Sequence, residues 1–254
     1  MMGSGGAGGA GGCECTAVEI CLADTCEPKN RVYASVYQIG DGGYAFASAS
    51  ELVVVSPAPS EKDGDCALQS EPTEIPEVPL LDMGSATLII DGGDPIPFPD
   101  GSGQLELGNV TLTADTTLDP AGGEPITVAW TGGPVVPASS IGFTTPVPLD
   151  LLPVAPMVPG EPWTLAWNGS AEEHTSLDFA LATGGVAACF ANGDTITVPG
   201  TVTALVDPVE AAEGTLQLRL IYRGPVAEDL IAEGVAASGV GVRLNLIDLP
   251  PASP

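Results

Sequence analysis

Residues 123–133 read GEPITVAWTGG and residues 160–170 read GEPWTLAWNGS, so seven of eleven positions are identical in two segments that start 37 residues apart. Apolar side chains alternate in both copies: Ile126, Val128 and Trp130 in the first, and Trp163, Leu165 and Trp167 in the second. A period of two is what a strand with one buried face requires, and the Gly-Glu-Pro before each copy is typical of a turn. The repeat therefore predicts two strands that bury tryptophans between β-layers.

Several other segments alternate in the same way and are separated by turn residues. The chain has 33 glycines and 25 prolines in 254 residues, yet 44% of its residues are hydrophobic. A globular all-β protein with Pro/Gly-rich turns satisfies both facts. The further predicted strands are 31–39, 44–55, 85–91, 104–115, 176–182, 186–191, 194–200, 215–223 and 239–249. We expect an Ig-like antiparallel β-sandwich of about eight to ten strands, with one short helix over 225–238.

The predicted domain organisation has three parts. Residues 1–12 form a Gly-rich linker, residues 13–30 a small Cys-rich disulfide module, and residues 31–250 the β-sandwich domain. Within the sandwich domain, residues 56–82 hold five prolines, too many for a central strand. We expect this segment to be a long surface excursion that Cys66 attaches to the domain.

The charge of the chain is strongly unbalanced. It has 33 acidic and 6 basic residues, for a formal net charge of −27. Such a surface repels phosphate backbones and anionic lipid headgroups, which excludes nucleic acid as a partner. Solubility and resistance to nonspecific binding explain the charge, and divalent-cation binding is the sharper alternative. Because no apolar run approaches the roughly 18 residues of a membrane span, we expect membrane attachment only through a lipid anchor.

Cysteine spacing indicates disulfide bonds. Of the six cysteines, Cys13, Cys15, Cys21 and Cys26 form a tight cluster without a nearby histidine, and Cys66 and Cys189 lie far apart. A zinc site prefers paired C-x₂₋₄-C spacings, whereas these spacings are typical of small disulfide knots in exported proteins. Four cysteines allow three connectivities. We expect Cys13–Cys21 and Cys15–Cys26, with Cys66–Cys189 as a long-range link.

The first residues, MMGSGGAGGAGG, leave the compartment open. They contain neither a basic region nor an apolar core, so they are not a secretory signal. Three alternatives remain: an upstream segment that the sequence does not include, a remnant of cloning, or a cytosolic protein with reduced thiols. We favour the first, because a Gly-rich tract before a folded unit is typical of the tether that follows the lipidated cysteine in bacterial lipoproteins.

A resemblance supports export. The segments DMGSATLII (82–90), EPITVAWTGG (124–133), VPASSIGFTTPVPL (136–149), PWTLAWNG (162–169) and ACFANGDTITVPGTVTALV (188–206) occur in this order. Together they resemble a group of exported β-sandwich proteins of large-genome Gram-negative bacteria, which are often lipid-anchored and have no established activity. The resemblance covers about residues 34–249 and implies the fold and export only. The chain differs from that group in lacking a visible signal and in carrying the extra cysteine module.

One histidine provides the only argument for catalysis. His174 is followed by Ser176 and Asp178, so a hydrolase triad can be imagined. Triad members usually come from separate loops that converge, and no GxSxG nucleophile elbow occurs in the chain. We therefore expect a solvated turn histidine and no enzymatic activity.

Two acidic loops are candidate calcium sites. Asp91, Asp94 and Asp100 lie around the loop GGDPIPFPDGSG, and Glu61, Asp63 and Asp65 lie in EKDGD. Calcium takes six to eight oxygen ligands from loops that bend sharply, and Asp/Gly-rich loops supply both features. Neither loop follows the EF-hand spacing, and carboxylates come together by chance in so acidic a chain. The 91–100 loop is the better candidate, and no other cofactor is expected.

The aromatic residues test a carbohydrate-binding interpretation. Trp130, Trp163 and Trp167 lie on the apolar sides of their strands, so we expect them in the core rather than on an exposed sugar-binding platform. For Tyr33, Tyr37, Tyr44 and Phe46 the pattern does not indicate a side. The sequence thus predicts a non-catalytic protein of the cell envelope or exterior, with a structural or binding role and an unknown protein or glycan ligand. The alternative is a calcium-dependent adhesion or carbohydrate-binding module.

Overall fold

The computed structural model describes residues 13, 15–22, 25–39, 42–51, 61–69, 80–98, 108–112, 118–168, 174–224 and 226–251. In chain order the first strands are β1 (Glu19–Leu22), β2 (Thr25–Pro28), β3 (Asn30–Ile39), β4 (Gly42–Glu51), β5 (Glu61–Asp63), β6 (Cys66–Gln69), β7 (Ala86–Ile90), β8 (Ile96–Pro97), β9 (Gly108–Leu112) and β10 (Pro125–Trp130). They are followed by β11 (Ser139–Thr144), β12 (Asp150–Leu151), β13 (Trp163–Asn168), β14 (His174–Ala180), β15 (Val186–Phe190) and β16 (Thr195–Val198). Two short helices, α1 (Gly200–Thr203) and α2 (Pro208–Glu213), precede β17 (Leu218–Arg223), β18 (Ala227–Ala232) and β19 (Val235–Ile247).

The predicted all-β fold is confirmed. One ten-stranded sheet has the order β5-β6-β15-β14-β17-β19-β3-β4-β9, with β18 also paired to β19. A four-stranded sheet (β11-β10-β7-β8) and a three-stranded sheet (β12-β13-β16) pack against it, and β1 and β2 form a separate hairpin. Every pairing is antiparallel except that of β3 with β19. No helix in the described part of the chain is long and apolar enough to cross a membrane.

Each copy of the repeated segment lies in the middle of its own small sheet. Strand β10 lies between β7 and β11, and β13 lies between β12 and β16. Their tryptophans are buried as predicted, and the indole nitrogens of Trp130 and Trp163 donate to the carbonyls of Pro137 at 2.8 Å and Ala155 at 2.9 Å. The two strands belong to two separate hydrophobic cores, here called the first core, which contains Trp130, and the second core, which contains Trp163 and Trp167. The repeat therefore marks two sandwiches built on one shared sheet.

Strand β19 connects the two cores. It pairs in parallel with β3 from Val235 to Leu244, and its inner residues Ala237 and Ile247 belong to different cores. Between these residues, Gly239 and Gly241 face the edge strand β11. A Cβ atom on Gly239 would overlap the ring of Phe143. Strand β11 can lie this close to β19 only because these two inner positions lack side chains.

A polar row separates the two cores. Tyr222 on β17, Arg243 on β19 and Gln38 on β3 lie directly opposite one another, and all three are buried. The Nη2 atom of Arg243 donates to the carbonyl of Pro120 at 2.7 Å, and the Nε2 atom of Gln38 donates to the carbonyl of Asp119 at 3.3 Å. The segment that precedes β10 is thus held against the shared sheet by two side-chain hydrogen bonds.

Two predicted elements differ in the structure. A helix was predicted over 225–238, but residues 227–238 form β18 and the start of β19, joined by a turn at Gly234 with φ 74°. The prediction was wrong because pairing along β19 outweighs the local helix propensity of alanine and glutamate. The predicted excursion over 56–82 contains β5 and β6, which extend one edge of the ten-stranded sheet. The prolines of that segment lie outside these two strands, in agreement with their exclusion from central strands.

Helix α2 has clear local causes that sequence analysis missed. Asp207 caps α2 by accepting from the backbone amide of Val209 at 2.8 Å, and Pro208 occupies the first helical position. Gly214, with φ 71°, ends the helix in the left-handed conformation. Both helices follow β16 and contribute Val202 and Ala211 to the second core.

The cysteines are paired as expected from their spacing. Cys13 bonds Cys21 and Cys15 bonds Cys26, and these two disulfides hold the β1–β2 hairpin. Cys66 and Cys189 lie directly opposite each other on β6 and β15, inside the second core. Because this bond closes a separation of 123 residues, the chain-entropy model gives it about 5 kcal/mol of stabilisation. No described cysteine is free.

We predict that Gly241→Ala lowers the free energy of unfolding by about 1–3 kcal/mol, as overpacked core positions do. The new Cβ would overlap the carbonyl oxygen of Thr144 and lie 2.9 Å from the Cδ atom of Pro146. Urea unfolding measures the change. Gly42→Ala is the control, because its nearest neighbour would be a carbonyl oxygen at 3.8 Å. Equal stability of the two variants would contradict the close contact between β11 and β19.

Candidate functional site: the outer face of the ten-stranded sheet

Both small sheets cover the same face of the ten-stranded sheet. The opposite face, here called the outer face, carries the alternate residues of the same strands. Among the described residues, fourteen large hydrophobic side chains are exposed, and six of them lie on the outer face. These six are Ile39, Tyr44, Val186, Phe190, Leu230 and Leu246. Single exposed apolar residues are ordinary, whereas a connected group marks an interaction site.

Strand register connects the outer-face residues into rows across the sheet. One row passes through Phe190, Ser176, Ile221, Leu244 and Ile39. The next row passes through Arg223, Val242, Tyr37 and Tyr44. Neighbouring strands are about 4.8 Å apart, so opposite side chains in a row are close neighbours. The rows therefore place apolar side chains on the outer face of every strand from β15 to β4 except β14, which contributes Ser176.

One half of the outer face is aromatic. Tyr33 and Tyr37 on β3 and Tyr44 and Phe46 on β4 form what we call the aromatic strip, which resolves the side that the sequence left open. The rings of Tyr37 and Tyr44 stack with centroids 4.8 Å apart and an interplanar angle of 8°. Phe46 stacks on Tyr37 at 6.0 Å. Burial, with a smaller effect of Tyr37, raises the pKa of Tyr44 above its ordinary value, so its hydroxyl stays neutral and can donate a hydrogen bond.

The other half combines apolar residues with charge. We call it the arginine patch, which consists of Asp178, Val186, Phe190, Arg219, Ile221, Arg223 and Leu246. Arg219 lies directly opposite Asp178 on the neighbouring strand. Neither Arg219 nor Arg223 forms a salt bridge with a described residue, whereas Arg31 pairs with Glu27 at 2.7 Å. The patch thus presents two guanidinium groups among exposed apolar side chains.

The basic residues are concentrated on this face. The chain has only six lysines and arginines, and the strand alternation directs four of them outward. These four are Arg31, Lys62, Arg219 and Arg223. Since the formal net charge of the chain is −27, the outer face over the second core differs in sign from the molecule as a whole. Sequence analysis did not single out these arginines, although they alternate with leucines in LQLRLIYR (216–223).

Asp178 is half-buried among these side chains. Its burial raises its pKa, while a hydrogen bond from Ser176 and the positive charges of Arg223 and Arg219 oppose the rise. The Oδ1 atom is fully buried and has no hydrogen-bond partner among the described residues. The carboxylate is therefore held in a partly apolar place where its charged form is disfavoured.

The candidate calcium loops are not brought together into one site. Asp91 and Asp94 are exposed in the turn between β7 and β8, where Asp91 has φ 48° and its amide donates to the carbonyl of Pro125 at 2.8 Å. Asp100 lies outside the described residues, so this site stays a prediction. In the other loop, the carboxylate of Asp63 accepts a hydrogen bond from Thr201. Within the described residues, the group of three ligands closest to metal-binding geometry is Cys13, Cys15 and Cys26, and all three form disulfides.

The imagined triad residues lie on a single strand. His174 begins β14 opposite Arg223, and the structure describes only the backbone of this histidine. Ser176 and Asp178 follow on the outer face of the same strand, and they do not converge from separate loops. No protein-family model matches the chain, and no curated protein matches it in sequence.

We predict that Asp178→Asn raises the melting temperature at neutral pH. A carboxyl group whose pKa is raised in the folded state loses stability as the pH rises from its ordinary value of 3.8 through the raised one. The amide removes this cost, so the gain over wild type is present at about pH 7 and disappears below about pH 3.8. Scanning calorimetry at both pH values measures it.

Asp194→Asn, in the exposed turn before β16, controls for the removal of one negative charge from an acidic chain. If both variants gained equally at neutral pH, the general charge would explain the effect and the local burial of Asp178 would not.

Proposed function

We propose that this protein is an exported or cell-envelope protein with a non-catalytic, structural or binding role. The observation that carries the proposal is the outer face, where an aromatic strip and an arginine patch lie on the side of the ten-stranded sheet opposite the two small sheets, with six large apolar side chains exposed among the described residues. A large connected apolar surface costs solubility unless a partner covers it. The acidic remainder of the surface keeps the protein soluble and resists nonspecific binding.

The disulfides support the compartment. Three disulfides join all six cysteines, and such bonds form and persist in oxidising compartments. The resemblance to exported β-sandwich proteins supports the same location. The glycine-rich residues 1–12 fit a tether to a membrane or cell surface.

Mass spectrometry of the protein isolated from its native cells tests this function. We expect a processed or lipidated N-terminus and cysteines that react with an alkylating reagent only after reduction. Recombinant protein oxidised in vitro provides the reference for three disulfides. An unmodified Met1 together with six free thiols would contradict export and favour a metal–thiolate site at residues 13–26.

A carbohydrate-binding module is the second candidate, and the position of the aromatic strip favours it. Sugar-binding sites present exposed rings together with hydroxyl and carboxylate groups that form hydrogen bonds with the sugar. The stacked pair Tyr37 and Tyr44 supplies rings and hydroxyls on one strip, in which Tyr44 is exposed and Tyr37 is half-buried. A neutral glycan is the class of sugar that the net charge of −27 does not repel.

Affinity electrophoresis in gels that contain a neutral polysaccharide tests this candidate. We expect wild type to be retarded and Tyr44→Ala to lose at least about fivefold in affinity, because a stacked ring contributes about a kcal/mol or more. Val209→Ala, an exposed apolar side chain on α2 outside the outer face, is the control. Repeating the run with calcium and with a chelator tests the alternative of a calcium-dependent adhesion module. For such a module, Asp91→Asn would abolish the calcium dependence. Migration unaffected by any neutral polysaccharide would count against this candidate.

A further inference from the structure

We infer that the arginine patch is a contact between two copies of this chain, which associate face to face as a two-fold symmetric dimer. Self-association through the arginine patch does not depend on whether the aromatic strip binds a ligand. It rests on the composition, the charge and the size of the patch.

The composition is that of a protein interface and not of an ordinary solvated sheet face. Leu246 is 60% exposed, Phe190 is 51% exposed and Val186 is 44% exposed. Interface cores are rich in aromatic and aliphatic residues and in arginine, and poor in lysine, glutamate and aspartate. In an antiparallel sheet with one solvated face, the outward positions are usually polar. The outward apolar residues of β15, β17 and β19 depart from that pattern.

The charges of the patch are self-complementary. A two-fold interface brings the same surface of two copies together, so it has to contain both partners of every contact. Asp178 on one copy can pair with Arg219 or Arg223 on the other, and each pair then occurs twice. Neither arginine forms a salt bridge with a described residue. The Asp178 carboxylate of a second copy would supply that partner.

The net charge of the chain determines which surfaces of two copies can meet. Two copies that each carry −27 repel each other over most of their surfaces. Over the second core, the described outward strand residues include three basic side chains, Lys62, Arg219 and Arg223, and one acidic side chain, Asp178. Because charges beyond about 8 Å are screened at physiological ionic strength, this face is where two copies can approach without bringing their acidic surfaces together.

The size of the patch predicts a weak dimer. Four strands (β14, β15, β17 and β19) about 4.8 Å apart, each with three outward residues, give roughly 400 Å² per copy, or about 800 Å² in total. This area is smaller than that of standard protein interfaces and is typical of weak, transient complexes, so we expect a dissociation constant of roughly 1–100 µM. Two sheet faces pack in this way at a distance of about 10 Å with their strands nearly aligned.

Sedimentation velocity at protein concentrations from about 1 to 200 µM, which bracket this dissociation constant, tests the inference. We expect a reversible monomer–dimer equilibrium for wild type and a monomer for Leu246→Glu and Phe190→Glu at every concentration. Val209→Glu and Val135→Glu are the matched controls, because these side chains are 60% and 51% exposed at other places, and they should dimerise as wild type does. The native fold of each variant is checked by circular dichroism and thermal unfolding.

A charge swap distinguishes the loss of a specific contact from misfolding of the variants. Arg219→Glu and Asp178→Lys should each weaken self-association, since each variant places like charges across the two-fold axis. Mixed in equal amounts, they should form a heterodimer in which one pair keeps its native charges and the other is restored with reversed sign. A wild-type chain that stays monomeric, glutamate variants that dimerise as before, or a mixture that does not associate would each overturn the inference, and the patch would then belong to a different partner.

Discussion

The parallel pairing of β3 with β19 is the constraint on which the rest of the structure depends. It joins a hairpin near the start of the described chain to its last strand, over ten consecutive residue pairs. Both small sheets pack against the sheet that this pairing creates, and β19 passes from one core into the other. Parallel strands cannot be closed by a tight turn, so all intervening elements have to be arranged around the pairing. The glycines at 239 and 241 and the polar row at Arg243 are consequences of placing two sandwiches side by side on one strand.

The shared sheet also explains why neither small sheet packs on the outer face. In an ordinary sandwich, two sheets cover each other and their outward positions are polar. Here the outward residues Ile221 and Leu244 lie in the middle of a sheet of ten strands, far from any edge. Neighbouring side chains cover part of Ile221 and Leu244, whereas Phe190 and Leu246 near them stay exposed. The aromatic strip and the arginine patch lie over different cores, so a ligand of one and a partner of the other need not compete.

The elements of the fold were more predictable than their assembly. The period of two in the tryptophan segments and in LQLRLIYR (216–223) indicated strands and their buried sides, and cysteine spacing indicated the disulfide pairs. Local pattern does not contain the register between distant strands, so one sandwich was expected where two share a sheet. In β19 the apolar residues Val240 and Leu246 lie on one face, and the sequence pattern alone suggests that this face is buried. In the structure this face points outward, and the glycines at 239 and 241 point inward, because β11 needs the space above them. The outer face was therefore not predictable without the tertiary contacts.

Arg243 shows how the same constraint distributes charge. A guanidinium group buried between two cores is costly unless it is hydrogen-bonded, and its bond to the carbonyl of Pro120 meets that need only in part. The group lies on the inner side of β19, at the boundary where neither core supplies apolar packing. On the neighbouring strand, Arg219 and Arg223 take the outer positions because the inner positions between them hold Leu220 and Tyr222. The few cations of this acidic chain are thus located by the packing of the shared sheet, and the local positive charge of the outer face follows from the fold itself.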